Sequence, residues 1–268
     1  MAHTPFTELL QKDLKTLETN LRGLLDPHLS KKEHLSLLNV ACGRGDETGV
    51  LAKLLSEKAN SAHLQGLDIR AAEIDQANSR WKKELDSKAS ADFITHRGDR
   101  LFDLAEIGNP DIAFLRHQNF WNDKPVWTNI FDQALERLDD DGLLVITSYF
   151  DKEHELATEA LENLGAIQVG SIINPNSRAL SDAPGKSVDK HLAVFRKKTS
   201  PDRSPNQSPI APEPLNFAYR GGGFQFQLGL PLNSSCFPEI SSFGSLQTLS
   251  PQILNTLRHA DSLTDFFC

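Results

Sequence analysis

Two glycines and a series of acids along the first hundred residues are the parts of this chain best suited to chemistry. Gly43 and Gly45 lie in the run Asn39-Val40-Ala41-Cys42-Gly43-Arg44-Gly45-Asp46-Glu47-Thr48, directly after the apolar pair Leu37-Leu38. That order reads as a buried strand, a glycine turn and a helix start. Without side chains at Gly43 and Gly45, bare backbone can come up against a ligand. Asp68 follows the next apolar run, where a carboxylate can accept hydrogen bonds from a pair of hydroxyls. Gly98-Asp99-Arg100 and Arg116-His117-Gln118-Asn119-Phe120-Trp121 close two later runs. His117 is a candidate proton acceptor or simply a satisfied histidine. The nine histidines show neither HxxxH nor HExxH spacing, so no metal site is expected.

The elements that must position these residues follow from hydrophobic period. Leucines 9, 10, 14, 17, 21, 24 and 25 form one stripe over 5–26, a helix that Asp26-Pro27 should end. A strand at 36–42, apolar on both faces, precedes a helix at about 47–58. Further strands are expected at 62–68, 91–96, 111–116 and 143–149, and helices at 71–86, 127–138 and 152–163, with a short helical piece over 102–107. Two extended runs, 166–173 and 190–197, end the series with turn residues between them. Strands alternating with helices imply right-handed crossovers and a mostly parallel sheet. The last pair should be antiparallel.

After Lys198 the composition changes. Residues 199–215 carry prolines at 201, 205, 209, 212 and 214 among Ser, Asn and Gln, the signature of a Pro/Ser-rich linker. Residues 216–268 are rich in phenylalanine and poor in charge, the composition of a flexible or partner-docking tail. The expected organisation is therefore a domain at 1–198, with 1–35 as a helical cap, a linker and a tail.

With a formal net charge of −8, the chain lacks the basic surplus of a general nucleic-acid binder. Its three cysteines contain no CxxC pair, which argues against a disulfide framework or zinc ribbon. No apolar run approaches the ~18 residues that span a bilayer, and no secretory signal pattern opens the sequence. A cytoplasmic protein that binds no membrane is the expectation.

The order of elements and the residues at the strand ends resemble the class I S-adenosylmethionine-dependent methyltransferases over about residues 5–198. The resemblance implies a Rossmann-like three-layer αβα sandwich, a seven-stranded mostly parallel sheet with an antiparallel last strand. It maps the family's glycine-rich signature onto Asn39 to Gly45, with Asn39 replacing the usual acid and Ala41 the usual glycine. It implies that Ala41, Gly43 and Gly45 pass beside the cofactor, that Asp68 holds the ribose, and that Ile69 lies against the adenine. Asp99 and Arg100 would sit by the adenine amino group, and Arg116 would meet the methionyl carboxylate. Phe120 and Trp121 would wall a pocket for a small-molecule acceptor, with His117 as the base.

Two other readings stand beside it. A nicotinamide-dependent Rossmann oxidoreductase would use the same glycines and Asp68, but Gly43-Arg44-Gly45-Asp46-Glu47-Thr48 departs from GxGxxG, and Asp46 and Glu47 would repel a pyrophosphate at the helix start. A non-catalytic methyltransferase-like fold that binds a protein partner would suit the departures at Asn39 and Ala41 and the apolar tail.

Overall fold

Leu35 and Leu37 point to one face of strand β1 (Lys32–Val40) and Leu38 and Val40 to the other, because the strand has packed layers on both faces. The computed structural model describes residues 5–198 apart from 86 and 182; the linker expected at 199–215 and the tail at 216–268 lie outside the described residues. β1 pairs in parallel with β2 (Ala59–Asp68) on one side and with β4 (Ile112–Leu115) on the other. β3 (Ala89–Thr95) adds to β2, and β5 (Leu143–Ser148) to β4, again in parallel. β7 (His191–Lys197) runs antiparallel to both β5 and β6 (Ala166–Ile173). The sheet order is β3-β2-β1-β4-β5-β7-β6.

Each face of the sheet has its own core. On one face Leu35, Leu37, Ala62, Leu64, Ile112 and Phe114 pack against helices α1 (Pro5–Leu25) and α2 (Thr48–Ser56). On the other, Leu38, Val40, Ala113 and Leu115 pack against α4 (Lys124–Arg137) and α5 (Asp151–Asn163). Helix α3 (Ala71–Glu84) sits at the β2–β3 end, with Ile74, Ala77 and Trp81 against Cys42 and Phe93. The result is the three-layer α/β sandwich with a seven-stranded sheet that the sequence implied.

Helix α1 is an integral layer. Leu17, Leu21, Leu24 and Leu25 are buried, and each buried leucine contributes on the order of 2 kcal/mol. The helix ends at Leu25, ahead of Asp26-Pro27. β1 begins four residues before the expected position, because Lys32, Glu33 and His34 are exposed and carry no hydrophobic signal although Lys32 already pairs with Ala59. The helical piece expected at 102–107 is a 3₁₀ segment at Gly98–Asp103, broken at Arg100 (φ −136°, ψ 38°).

Parallel β1, β2, β4 and β5 all end at the same edge of the sheet. Because β7 runs the other way, its first residues arrive at that edge too. The connection from β6 to β7 folds back over it: Ser187 donates from its backbone to the Tyr149 carbonyl, and Arg178 grips Asp13 of α1 with contacts of 2.5 to 3.1 Å. No described helix is long and apolar enough to cross a membrane.

Candidate functional site

The glycine turn enters the left-handed region at every second residue: φ is +58° at Ala41, +54° at Gly43 and +61° at Gly45. That region favours glycine, and a non-glycine residue there is uncommon. A Cβ on Gly45 would stand 2.7 Å from the Thr48 hydroxyl and 2.9 Å from the Phe93 ring. The turn is fixed by Gly45 N–H to the Cys42 carbonyl at 2.8 Å and by the Trp81 indole N–H to the Gly45 carbonyl at 2.9 Å.

Asp68, at the end of β2, is buried beside that turn. Its carboxylate accepts the Gly43 N–H at 2.8 Å and the Arg70 N–H at 2.9 Å. It also accepts the Arg70 guanidinium through Nε at 3.0 Å and Nη2 at 3.2 Å. Burial pushes its carboxyl pKa up, but the Arg70 guanidinium and the two backbone N–H groups outweigh this and hold it below the usual carboxylate range. Ile69 beside it is 59% exposed, unusual for an isoleucine and suited to a flat apolar ligand.

A second group joins the turn to β4. Asn39 donates its amide N–H to Glu47 at 2.6 Å; a carboxylate partner fixes that nitrogen as the donor, leaving the buried Oδ1 without a hydrogen bond. The other oxygen of Glu47 accepts from Arg116 at 3.3 Å. Arg116 in turn forks onto Asp189 through Nε at 3.1 Å and Nη2 at 2.7 Å. Asp189 also faces Nε2 of His117 at 2.8 Å, and His117 stacks on Tyr149 with ring centroids 4.0 Å apart. His117 (φ +56°) and Asp189 (φ +47°) are, with Ala41, the non-glycine residues in the left-handed region among the described residues. All three lie at this one edge. Strained backbone of this kind persists where the surrounding structure over-determines it, as at binding and catalytic sites. Burial lowers the His117 pKa, Asp189 opposes that and Arg116 adds to it.

Some expected residues are placed differently. Arg116 is committed to two carboxylates, Glu47 and Asp189, so its charge is met inside the protein and it holds those acids in place. Phe120 is a core residue, 4% exposed and stacked on Phe131, because its backbone N–H turns back to Gln118. It backs the site, while Trp121 beside it is 57% exposed. Asp99 is paired with Arg97 at 2.6 to 2.9 Å, its carbonyl is held by Asn129 and Gln133, and Arg100 is exposed. Asp46 is paired with Arg80 and Arg44, so the negative character at the start of α2 comes from buried Glu47.

Three residues at this edge were not singled out from sequence: Arg70, Asp189 and Glu153. Glu153, in the first turn of α5, is buried and accepts the Tyr149 N–H at 3.3 Å. Burial raises its pKa to about 7, against the lowering effect of the backbone N–H groups of Tyr149 and Trp121. The only signal for Asp189 was its place just before a strand that had to run antiparallel.

A hollow of about 640 Å³ opens between the start of α1, the glycine turn and α3, lined by Thr7, Leu10, Arg44, Asp46, Gln76 and Arg80 among others.

No family model and no curated protein matches the sequence. Solved structures do match the fold. The magnesium protoporphyrin IX methyltransferase of Synechocystis, crystallised with bound S-adenosylmethionine, is 15% identical over 74% of this chain and 86% of its own, with a TM-score of 0.51. A Leishmania major S-adenosylmethionine-dependent methyltransferase is 11% identical over 70% of this chain and 72% of its own, also at 0.51. A Pyrococcus horikoshii protein matches at 15% identity and a TM-score of 0.50, covering 70% and 91%. The fold is that of the S-adenosylmethionine-dependent methyltransferases. Its antiparallel β7, inserted between β5 and β6, distinguishes it from the 3-2-1-4-5-6 order of dinucleotide-binding Rossmann domains.

Proposed function

We propose that the chain is a methyltransferase that uses S-adenosylmethionine and acts on a small-molecule acceptor. The observation that carries this is the meeting of the left-handed Gly43/Gly45 turn with the buried Asp68 carboxylate at the carboxyl ends of β1 and β2, in a sheet of this order.

The residues present suit that cofactor. Ala41, Gly43 and Gly45 offer close backbone, Asp68 offers acceptors for ribose hydroxyls, and Ile69 offers an apolar surface for the adenine. Asn39 Oδ1 is an orphaned buried acceptor, suited to an ammonium donor. Glu47, Arg116 and Asp189 together carry one net negative charge, a setting that favours a cationic ligand over an anionic dinucleotide. Asp99 and Arg100 flank the adenine end in this reading. The cofactor, when bound, supplies an already activated methyl group on a sulfonium.

What the chain adds is orientation and proton handling. Asp189 meets Nε2 of His117 with both its carboxylate, at 2.8 Å, and its backbone N–H, at 3.3 Å, and the ring stacks on Tyr149; with the proton on Nε2, Nδ1 is the nitrogen able to accept a proton from an acceptor hydroxyl, thiol or ammonium. Exposed Trp121 is placed to line the acceptor side.

Thermal unfolding of the purified chain with S-adenosylhomocysteine tests the reading. At about a hundred times its Kd, the ligand should stabilise by about 2.7 kcal/mol and raise Tm by several degrees, while NADH should not. A shift with NADH alone would refute it.

A further inference from the structure

Arg70 stands on the carboxylate that the cofactor reading assigns to the ribose. Asp68 accepts four hydrogen bonds: the backbone N–H groups of Gly43 and Arg70, and Nε and Nη2 of the Arg70 side chain. Four is about the full capacity of a carboxylate. A Cβ on Gly43 would lie 3.1 Å from Nη2 of Arg70, so the guanidinium rests directly over the glycine turn. Two ribose hydroxyls therefore need positions that are already taken.

Only two of the four donors can leave. The Gly43 N–H is set by the turn. The Arg70 backbone is set by the first turn of α3, where its carbonyl accepts from Glu73 and Ile74. The Arg70 side chain is 45% exposed and can swing. One turn along the helix, Glu73 Oε1 lies 3.9 Å from Nη1 of Arg70 and offers the guanidinium a second carboxylate. Glu73 also meets Arg44 at 3.5 Å, so the alternative seat adjoins the same turn.

We propose that Arg70 is an internal competitor for the ribose, its guanidinium capping Asp68 in the free protein and moving to Glu73 when the ribose hydroxyls take its place. The proposal rests on the cofactor reading given above. It also gives Arg70 a reason to be there: without it, Asp68 would be a buried carboxylate with no countercharge in the free protein. The apparent affinity for an adenosyl ligand is then the intrinsic affinity reduced by the fraction of molecules with Asp68 uncovered. A half-exposed arginine–carboxylate pair of this kind shifts that fraction by up to about fivefold.

Isothermal titration of the full chain with S-adenosylhomocysteine tests it, using wild type, Arg70→Ala, Arg70→Gln, Glu73→Gln and the double variant Arg70→Ala/Glu73→Gln. Both Arg70 variants should bind up to about fivefold tighter than wild type. Glu73→Gln should bind a few-fold weaker, and the double variant should match Arg70→Ala, because no displaced guanidinium remains to be seated. Unchanged or weaker binding by both Arg70 variants would overturn the proposal and leave the cofactor reading intact. A Glu73 effect that persists in the double variant would overturn Glu73 as the second seat. Absence of binding by all five proteins would instead refute the cofactor reading itself.

Discussion

Asp189 faces His117 at 2.8 Å while its two oxygens also hold the fork of Arg116, so residues 72 and 73 positions apart in sequence share one buried carboxylate. The pairing exists because β7 is antiparallel and delivers its leading turn to the edge where β4 ends. Burial alone would raise the Asp189 carboxyl, but the adjoining His117 ring and the Arg116 guanidinium hold it well below the usual range.

Asp189→Ala should cost about 1–3 kcal/mol of stability in urea unfolding, because Arg116 loses both hydrogen bonds of its fork and keeps only its contact with Glu47. Arg116→Met should cost more, because it leaves buried Glu47 and Asp189 without their countercharge, and the double variant Arg116→Met/Asp189→Ala should lose less than the two single losses added together. A double-variant loss equal to the sum of the two single losses would show that the pair is not coupled.

Glu153 predicts a pH dependence of stability. Its folded pKa, about 7, lies above the ordinary carboxyl value of 4.5. The native state therefore favours the protonated form, and the stability linked to it is fully present below about pH 4.5 and lost as pH rises through 7. Glu153→Gln keeps an acceptor for the Tyr149 N–H and removes the ionisation. At pH 8 it should be more stable than wild type by up to about 3 kcal/mol, and the advantage should vanish near pH 4.5. Denaturant unfolding at the two pH values checks this; a constant difference would contradict it.

The two glycines should respond differently to alanine. Both have positive φ, which costs a side chain roughly 1–2 kcal/mol. At Gly45 the new Cβ also meets Thr48 and the Phe93 ring below 3.0 Å, whereas at Gly43 it meets only the movable end of Arg70. Gly45→Ala should therefore lower Tm more than Gly43→Ala. Gly43→Ala should act mainly on S-adenosylhomocysteine affinity, because it puts a methyl group where ligand and backbone meet. Equal Tm losses would remove the distinction.

The fold was largely legible because its signals are local. The glycine turn, the apolar runs of β1, β4 and β5, and the leucine stripe of α1 each declare themselves within a few residues. Polar strand starts such as Lys32–His34 did not, since their pairing depends on β2. The candidate site was half legible. Gly43, Gly45 and Asp68 could be placed because they follow strands. The destinations of Arg116 and Phe120 could not, because Asp189 and Phe131 reach them through the tertiary fold. The inference that Asp46 and Glu47 present negative charge to a ligand was also incomplete: both are paired with arginines, and only Glu47 is buried in the group that carries net negative charge.

The most direct test of the central claim is the affinity of S-adenosylhomocysteine for wild type and for Asp68→Ala, measured by isothermal titration with NADH as the control ligand. Loss of hydrogen bonds from hydroxyls to a charged acceptor should weaken binding at least tenfold. The predicted result is binding of S-adenosylhomocysteine by wild type, its loss or severe weakening in Asp68→Ala, and no binding of NADH. Binding of NADH, or S-adenosylhomocysteine affinity unchanged by Asp68→Ala, would contradict the account.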